Sequence, residues 1–300
     1  MLRAFNYRNG FCIILNKYNS MKRLMLSTFI LLSFAIVNGQ HLHATIFGGI
    51  SNYQGDIQPK NFTFQQAGPA VGLGLLYELS DKLYIRGNVT VGKIKAADAK
   101  SLQNTSRNLS FSSPVTDIHL GLEYDLLNSY ERSLTPFVFA GVSAFRFNPY
   151  AMDSAGKKTY LQPLGTEGQG FFQGRTKYNL TQMALPFGAG VKLALSENIR
   201  VRFEVGLRKT FTDYLDDVST TYVDQNLLLQ NNGQQSVDLA FRGDELKSNA
   251  IGYPAANTQR GNPKSKDWYY FTGVGISFRL APKFNGGGGR SKVGCPTDVR

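Results

Sequence analysis

From Leu42 onward the chain alternates apolar and polar residues in short runs, the two-residue period of strands with one apolar face. Leu42, Ala44, Ile46, Gly48 and Ile50 share one side of the first run, and Val71, Leu73, Leu75, Tyr77 and Leu79 one side of the second. The third sets Leu83, Ile85, Val89 and Val91 against Tyr84, Arg86, Asn88 and Thr90; the fourth sets Ile118, Leu120, Leu122 and Tyr124 against Asp117, His119, Gly121, Glu123 and Asp125. In the fifth, whose phase is the least decided, Phe137, Phe139, Phe145 and Phe147 oppose Val138, Ala140, Ala144 and Arg146. Leu185, Phe187, Ala189, Val191 and Leu193 oppose Gly188, Gly190 and Lys192 in the sixth. Val201, Phe203, Val205 and Leu207 oppose Arg200, Arg202, Glu204 and Arg208 in the seventh. The last sets Trp268, Tyr270, Val274, Ile276 and Phe278 against Gly273, Gly275, Ser277 and Arg279.

The connections carry a second signal. Ser80-Asp81-Lys82, Leu127 to Ser133 and Ser196-Glu197-Asn198 are short, and the connections between them are long, the longest following Phe147 and Arg208. Strict alternation of short and long is the asymmetry of an eight-stranded antiparallel transmembrane β-barrel with short periplasmic turns and long extracellular loops. Loops of such length are hard to place as structureless joints in a compact soluble domain.

The period does not say which face is inside, because a soluble lipocalin-like barrel alternates equally. The polar face mixes Glu78, Asp117, Glu123, Asp125 and Glu204 with Arg86, Lys192, Arg200, Arg202, Arg208 and Arg279, as charges that neutralise one another in a narrow interior would. Gly72, Gly74, Gly121, Gly188, Gly190, Gly206, Gly273 and Gly275 lie on that same face and leave room for a long Arg or Glu from across the barrel. Tyr77, Tyr124, Phe137, Trp268 and Tyr270 fall near strand ends on the apolar face, where interfacial girdles are expected. Together these place the charges inside and the apolar residues against lipid.

Composition agrees with an all-β chain: 31 Gly, 21 Phe and 15 Tyr in 300 residues. The formal charge of +12 raises nucleic acid as a partner, but the cations are scattered and no nucleic-acid motif occurs, so none is expected. Part of that charge sits in residues 1–39. There Met21, the expected start, precedes Lys22 and Arg23, an apolar stretch from Leu24 to Val37, and small residues before Gln40, the three regions of a secretory signal peptide. The barrel is expected over 40–280, with a flexible basic Gly-rich tail over 281–300. Cys12 and Cys295 offer no disulfide framework.

Candidate chemistry is thin. Asp117 and His119 with Ser110, Ser112 and Ser113 sketch a hydrolase, yet no nucleophile is positioned by the pattern. His41 and His43 lack further metal ligands, and Asp213, Asp216, Asp217 and Asp224 lack the spacing of a calcium loop. No catalytic residue, metal or cofactor is expected. A cell-surface enzyme acting on lipid or peptide, and an adhesin using the loops, are the competing readings.

Three stretches resemble the PorG-like outer-membrane barrels of the Bacteroidota. They are Phe47-Gly-Gly-Ile-Ser-Asn-Tyr-Gln-Gly-Asp56, the run from Arg202 through Lys209-Thr-Phe-Thr-Asp213-Tyr214-Leu-Asp216-Asp217 to Ser219, and Arg260-Gly-Asn-Pro with Asp267-Trp-Tyr. The resemblance implies a non-enzymatic barrel in the outer membrane that contacts the periplasmic ring subunits of type IX secretion as a structural or anchoring component. The Lys209–Asp217 motif opens the longest loop, where it would fold over the barrel mouth or meet a partner. Outer-membrane lipid and the ring subunits are the partners so implied.

Overall fold

The computed structural model describes residues 41–59, 63–101, 104–248 and 250–280; the expected signal peptide and the Gly-rich tail lie outside them. Eight long strands carry the fold: β1 (Leu42–Gln54), β2 (Gly68–Ser80), β3 (Leu83–Ala97), β4 (Ser110–Asp125), β5 (Leu134–Phe147), β8 (Thr181–Ala194), β9 (Ile199–Thr210) and β10 (Trp268–Arg279). They follow the order β3-β2-β1-β10-β9-β8-β5-β4, and a further β3–β4 pairing closes the circle. The result is a closed antiparallel barrel of eight strands, each paired with a neighbour on both sides.

Short connections are built by side chains that cap their own turns. Ser196 Oγ accepts from the Asn198 and Ile199 amides at 3.4 and 3.2 Å, and Asn128 Oδ1 accepts from the Tyr130 amide at 3.0 Å. The long connections carry structure of their own. After β5 come two strands that the sequence pattern does not disclose, β6 (Tyr150–Met152) and β7 (Lys158–Tyr160), a hairpin that extends the sheet from β4 through a Ser112 to Tyr150 pairing. α1 (Asp98–Ser101) follows β3, and α2 (Gln225–Asn232) and α3 (Gln234–Ala240) stand in the β9–β10 loop. Asp224 starts α2 by accepting the Leu227 amide at 3.0 Å. Gly233, at φ +84°, makes the corner into α3, a conformation costly for any residue with a Cβ. Among the described residues no helix is long and apolar enough to cross a membrane.

The barrel is inside out relative to a water-soluble one. Leu73 is 66% and Leu120 60% exposed, with Val89, Ile118, Val142, Leu185, Phe203 and Val274 exposed beside them, whereas Asp117, Glu123 and Asp125 are fully buried. Seven of the runs keep the phase read from sequence, and β5 does not. Phe137, Phe139, Phe145 and Phe147 are buried inside, while Val138, Ala140, Val142 and Arg146 face out. Register gives the reason: Phe137 lies opposite Gly190, Phe139 opposite Gly188, and Gly188 opposite Gly206, so the glycines of β8 and β9 open a trough that the rings fill. A Cβ on Gly190 would stand 2.5 Å from the Phe137 ring, and one on Gly206 2.9 Å from the Phe139 ring. Gly188, Gly190 and Gly206 thus make room for aromatic rings, with the Arg208 guanidinium also against Gly206, while Gly72, Gly74 and Gly121 lie against Thr90, Asn88 and His119. The expected girdle loses Phe137 accordingly, and Tyr270, although on the outward parity with Trp268, is 2% exposed.

Residues 43–278 form one compact unit; among the described residues outside it, the Leu280 amide donates to the Leu42 carbonyl at 2.9 Å.

Candidate functional site

Inward positions of β3, β4, β8 and β9 build one charge cluster. Glu123 is its hub: Arg202 grips it with both terminal nitrogens at 2.9 and 2.5 Å, Arg86 donates at 3.1 Å, and Lys192 lies at 2.7 Å. Arg86 also reaches Glu204 at 2.6 Å, Arg202 the same carboxylate at 3.4 Å, and Lys192 reaches Asp125 at 2.5 Å. Three cations therefore face three carboxylates, and such balanced, hydrogen-bonded pairing is what allows charge to stay buried. Rings from β5 and β3 serve as the floor. Arg86 stacks over Phe139 at 4.1 Å, Arg202 over Phe137 at 4.5 Å, and Lys192 over Tyr84 at 4.3 Å.

Toward the turns, Glu78 accepts from Tyr130 at 2.5 Å and stands 3.6 Å from His43, while Arg200 donates to the Ser129 carbonyl at 3.3 Å and covers the Tyr130 ring. Toward the loops, Asp117 accepts from Tyr269 at 2.6 Å and lies 3.8 Å from Arg208. Arg279 is buried, 8% exposed, in the last strand. The space left among Arg86, Asn88, Arg202, Glu204 and Arg208 is about 20 Å3, room for about one water.

The hydrolase sketch is not assembled. Asp117 and His119 are neighbours on the inner face, but neither ring nitrogen of His119 has a hydrogen-bond partner among the described residues. Ser110 and Ser112 lie on the outward parity of β4, and the Ser113 hydroxyl accepts from the Asn148 amide at 2.9 Å. Among the described residues no group of three or more His, Cys, Asp or Glu could hold a metal ion.

The loops form a second network. Arg260 donates to Glu167 at 2.9 Å, to the Asp217 carbonyl at 2.5 Å and to the Ala240 carbonyl at 3.1 Å. Glu167 also accepts the Ser219 amide at 2.8 Å and the Thr220 hydroxyl at 2.6 Å, and lies 3.3 Å from the Tyr214 hydroxyl. Asp217, at φ +67°, is pinned by Thr166 at 2.5 Å and Tyr178 at 2.7 Å. Tyr53 donates to Asp216 at 2.6 Å and to Asp267 at 3.2 Å, and Asp213 accepts from Ser219 at 2.8 Å. Arg107 clamps Asp98 through two bonds of 2.8 and 2.7 Å and also donates to the Arg260 and Asp56 carbonyls. The four motif residues Asp213, Tyr214, Asp216 and Asp217 all join this cap; Lys209 stays on the outward face, 5.9 Å from the Trp268 ring.

Burial sets the cap's titration. It raises Asp213 to about 7 and Asp217 to about 6, the latter held back by the Arg260 charge and its hydroxyl donors. Asp216 and Asp267 are pushed well above the carboxylate range by burial, and each by neighbouring carboxylate charge, Asp56 for the first and Asp216 for the second. Burial disfavours the Arg260 cation, but Glu167 and Asp217 outweigh it and its pKa is raised.

Sequence reasoning singled out the aspartates but not Glu167, Arg107, Asp98 or Tyr178. Their partners lie from 9 to 153 positions away, and no local pattern joins them. The three stretches quoted above were the available signal, since Tyr53 and Asp56, Asp213 to Asp217, and Arg260 with Asp267 converge on the cap.

The chain matches the family described as Domain of unknown function (DUF6089) over residues 22–238. No curated protein sequence matches it. Among solved structures it is similar to neisserial surface protein A, at 10% identity over 80% of this chain and 97% of that one, with a TM-score of 0.40. OprG of Pseudomonas aeruginosa is similar at 11% identity over 80% and 97%, with a TM-score of 0.38. Ail of Yersinia pestis, the attachment invasion locus protein, is similar at 10% over 79% and 97%, with a TM-score of 0.36. The fold stands on the sheet's own closure, and these likenesses add no functional information.

Proposed function

We propose, for a chain that belongs to the DUF6089 family, an outer-membrane β-barrel that works as a structural or anchoring component of a secretion or envelope complex and performs no catalysis. The carrying observation is the inside-out barrel: an apolar outer wall around a lumen whose buried charges are paired with one another. Exposed Leu, Val and Ile all round a closed sheet are stable only against hydrocarbon, and a closed sheet satisfies every backbone group there. A lumen filled by Arg86, Arg202, Lys192 and their carboxylates does not conduct, so porin activity is disfavoured. Asp117 is engaged by Tyr269 and His119 is sealed in, which disfavours surface hydrolysis. Export through a cleaved signal peptide, short turns in the periplasm and the cap outside complete the reading.

The finer assignment, a PorG-like barrel of the Bacteroidota serving type IX secretion, is supported by the resemblance of the three stretches that meet in the cap. On this reading the periplasmic ring subunits are the partners. In-cell crosslinking through the 126–133 and 195–198 turns should capture those subunits, and deletion of the gene should stop export of type IX cargo. Intact export with no ring subunit captured would remove this assignment and leave the barrel itself standing.

A further inference from the structure

Charges on the barrel wall are sorted by face and by height. Every acidic strand residue points inward, whereas the charged residues on outward positions are Lys93, Lys95, Arg146 and Lys209, all cations. All four lie in the last turns of strands that end at the loop side, β3, β5 and β9. None forms an ion pair among the described residues, in contrast to the matched charges within. Scattered solvation does not account for cations confined to one rim of a wall that is otherwise apolar.

On β3 and β4 the rim is built up further. Register aligns Lys95 with Ser112, Ser112 with Tyr150, and Tyr150 with Tyr160, so one row of side chains crosses four strands. Lys158 stands 4.1 Å over the Tyr150 ring and 4.7 Å over Tyr160, and Lys93 lies 5.5 Å from the Tyr150 ring. The two rings meet edge to face at 6.1 Å, which fixes the ammonium groups without neutralising them. Beside them a cavity of about 200 Å3 is lined by Lys95, Lys100, Ser110, Ser112 and Tyr150, cation and hydroxyl donors suited to phosphate oxygens. Directly below, on the same strands, Val89, Val91 and Ile118 continue the apolar wall.

We propose that this rim is a binding site for the phosphate of a lipid headgroup, its acyl chains lying along the Val89, Val91 and Ile118 wall. Adjoining phosphate-seeking and chain-seeking surfaces select a lipid over a soluble anion, and a few lysines at a membrane surface draw anionic lipid strongly. The inference rests on the membrane reading above and adds the class of lipid that the loop-side rim prefers.

The test uses the full chain reconstituted in phosphatidylcholine containing a minor fraction of phosphatidic acid, then excised with a polymer belt so that the lipid carried with it can be counted. Wild type should carry phosphatidic acid enriched roughly fivefold or more over the bulk bilayer. A Lys93→Ser, Lys95→Ser, Lys158→Ser variant should fall to the bulk ratio, while Lys247→Ser, Lys264→Ser, Lys266→Ser, equal in charge, should keep the enrichment. Inorganic phosphate should not displace the lipid; displacement by it would assign the site to a free anion and overturn the proposal. Equal enrichment in both triple variants, or none in wild type, would overturn it while leaving the barrel in the membrane. Failure of the wild type to insert at all would instead refute the membrane reading, and this site with it.

Discussion

Glu123→Gln removes one charge from the hub of the lumen and almost no volume. Breaking a buried ion pair on one side costs about 3–5 kcal/mol, because the partner is left charged and dry. Here the partners are not wholly abandoned: Arg86 and Arg202 keep Glu204, and Lys192 keeps Asp125. The loss should therefore fall near the lower end, about 3 kcal/mol, or about two orders of magnitude in the folding equilibrium. Arg202→Met retains the contact with Phe137 while removing the charge, so the double variant restores neutrality. It should be less destabilised than the sum of the two single changes by about 1 kcal/mol or more. Urea unfolding from lipid vesicles measures this, with the single Trp268 on the outer wall reporting departure from the bilayer. A loss below about 0.5 kcal/mol for Glu123→Gln, or strict additivity, would refute the claim that these charges hold the lumen together.

Gly206→Ala pushes a Cβ to 2.4 Å from the Arg208 guanidinium and 2.9 Å from Phe139, and should cost about 1–3 kcal/mol in the same unfolding assay. Arg260→Met should loosen the cap and leave the barrel folded, seen as rapid proteolysis within 211–267 while the strands stay protected. Asp213 gives the cap a pH dependence. Its folded pKa, about 7, lies above the unfolded value of about 4, so its stabilising effect is full below about pH 4 and lost as pH rises through about 7. Hydrogen-exchange protection in the cap, corrected for the intrinsic rise of exchange with pH, should fall from about pH 5 to about pH 8, and Asp213→Asn should flatten that fall.

Much of the barrel was legible because period two, short turns and one-sided charge are local signals. Seven strands carried polar or glycine residues opposite branched apolar ones, so their phases could be read. β5 misled for a physical reason: its two faces are Phe against Val and Ala, both apolar, and hydropathy puts the larger one outward. What decides the phase is the glycine trough across the sheet and the cations above it, which depend on pairing β5 with β8. The cap was less legible still. Asp216 and Asp217 sit in a recognisable motif, but their partners Tyr53, Tyr178, Thr166 and Arg260 come from three other segments that only the closed barrel brings together.

The central claim, that hydrocarbon surrounds the wall and charge fills the lumen, is tested most directly by spin labels on Leu120→Cys and Val142→Cys in a Cys295→Ser background, in lipid bilayers. Collisions with oxygen should dominate at both sites, and collisions with a water-soluble nickel chelate should dominate at Lys264→Cys in the exposed loop. Chelate access to Leu120→Cys and Val142→Cys equal to that at the loop would contradict the account.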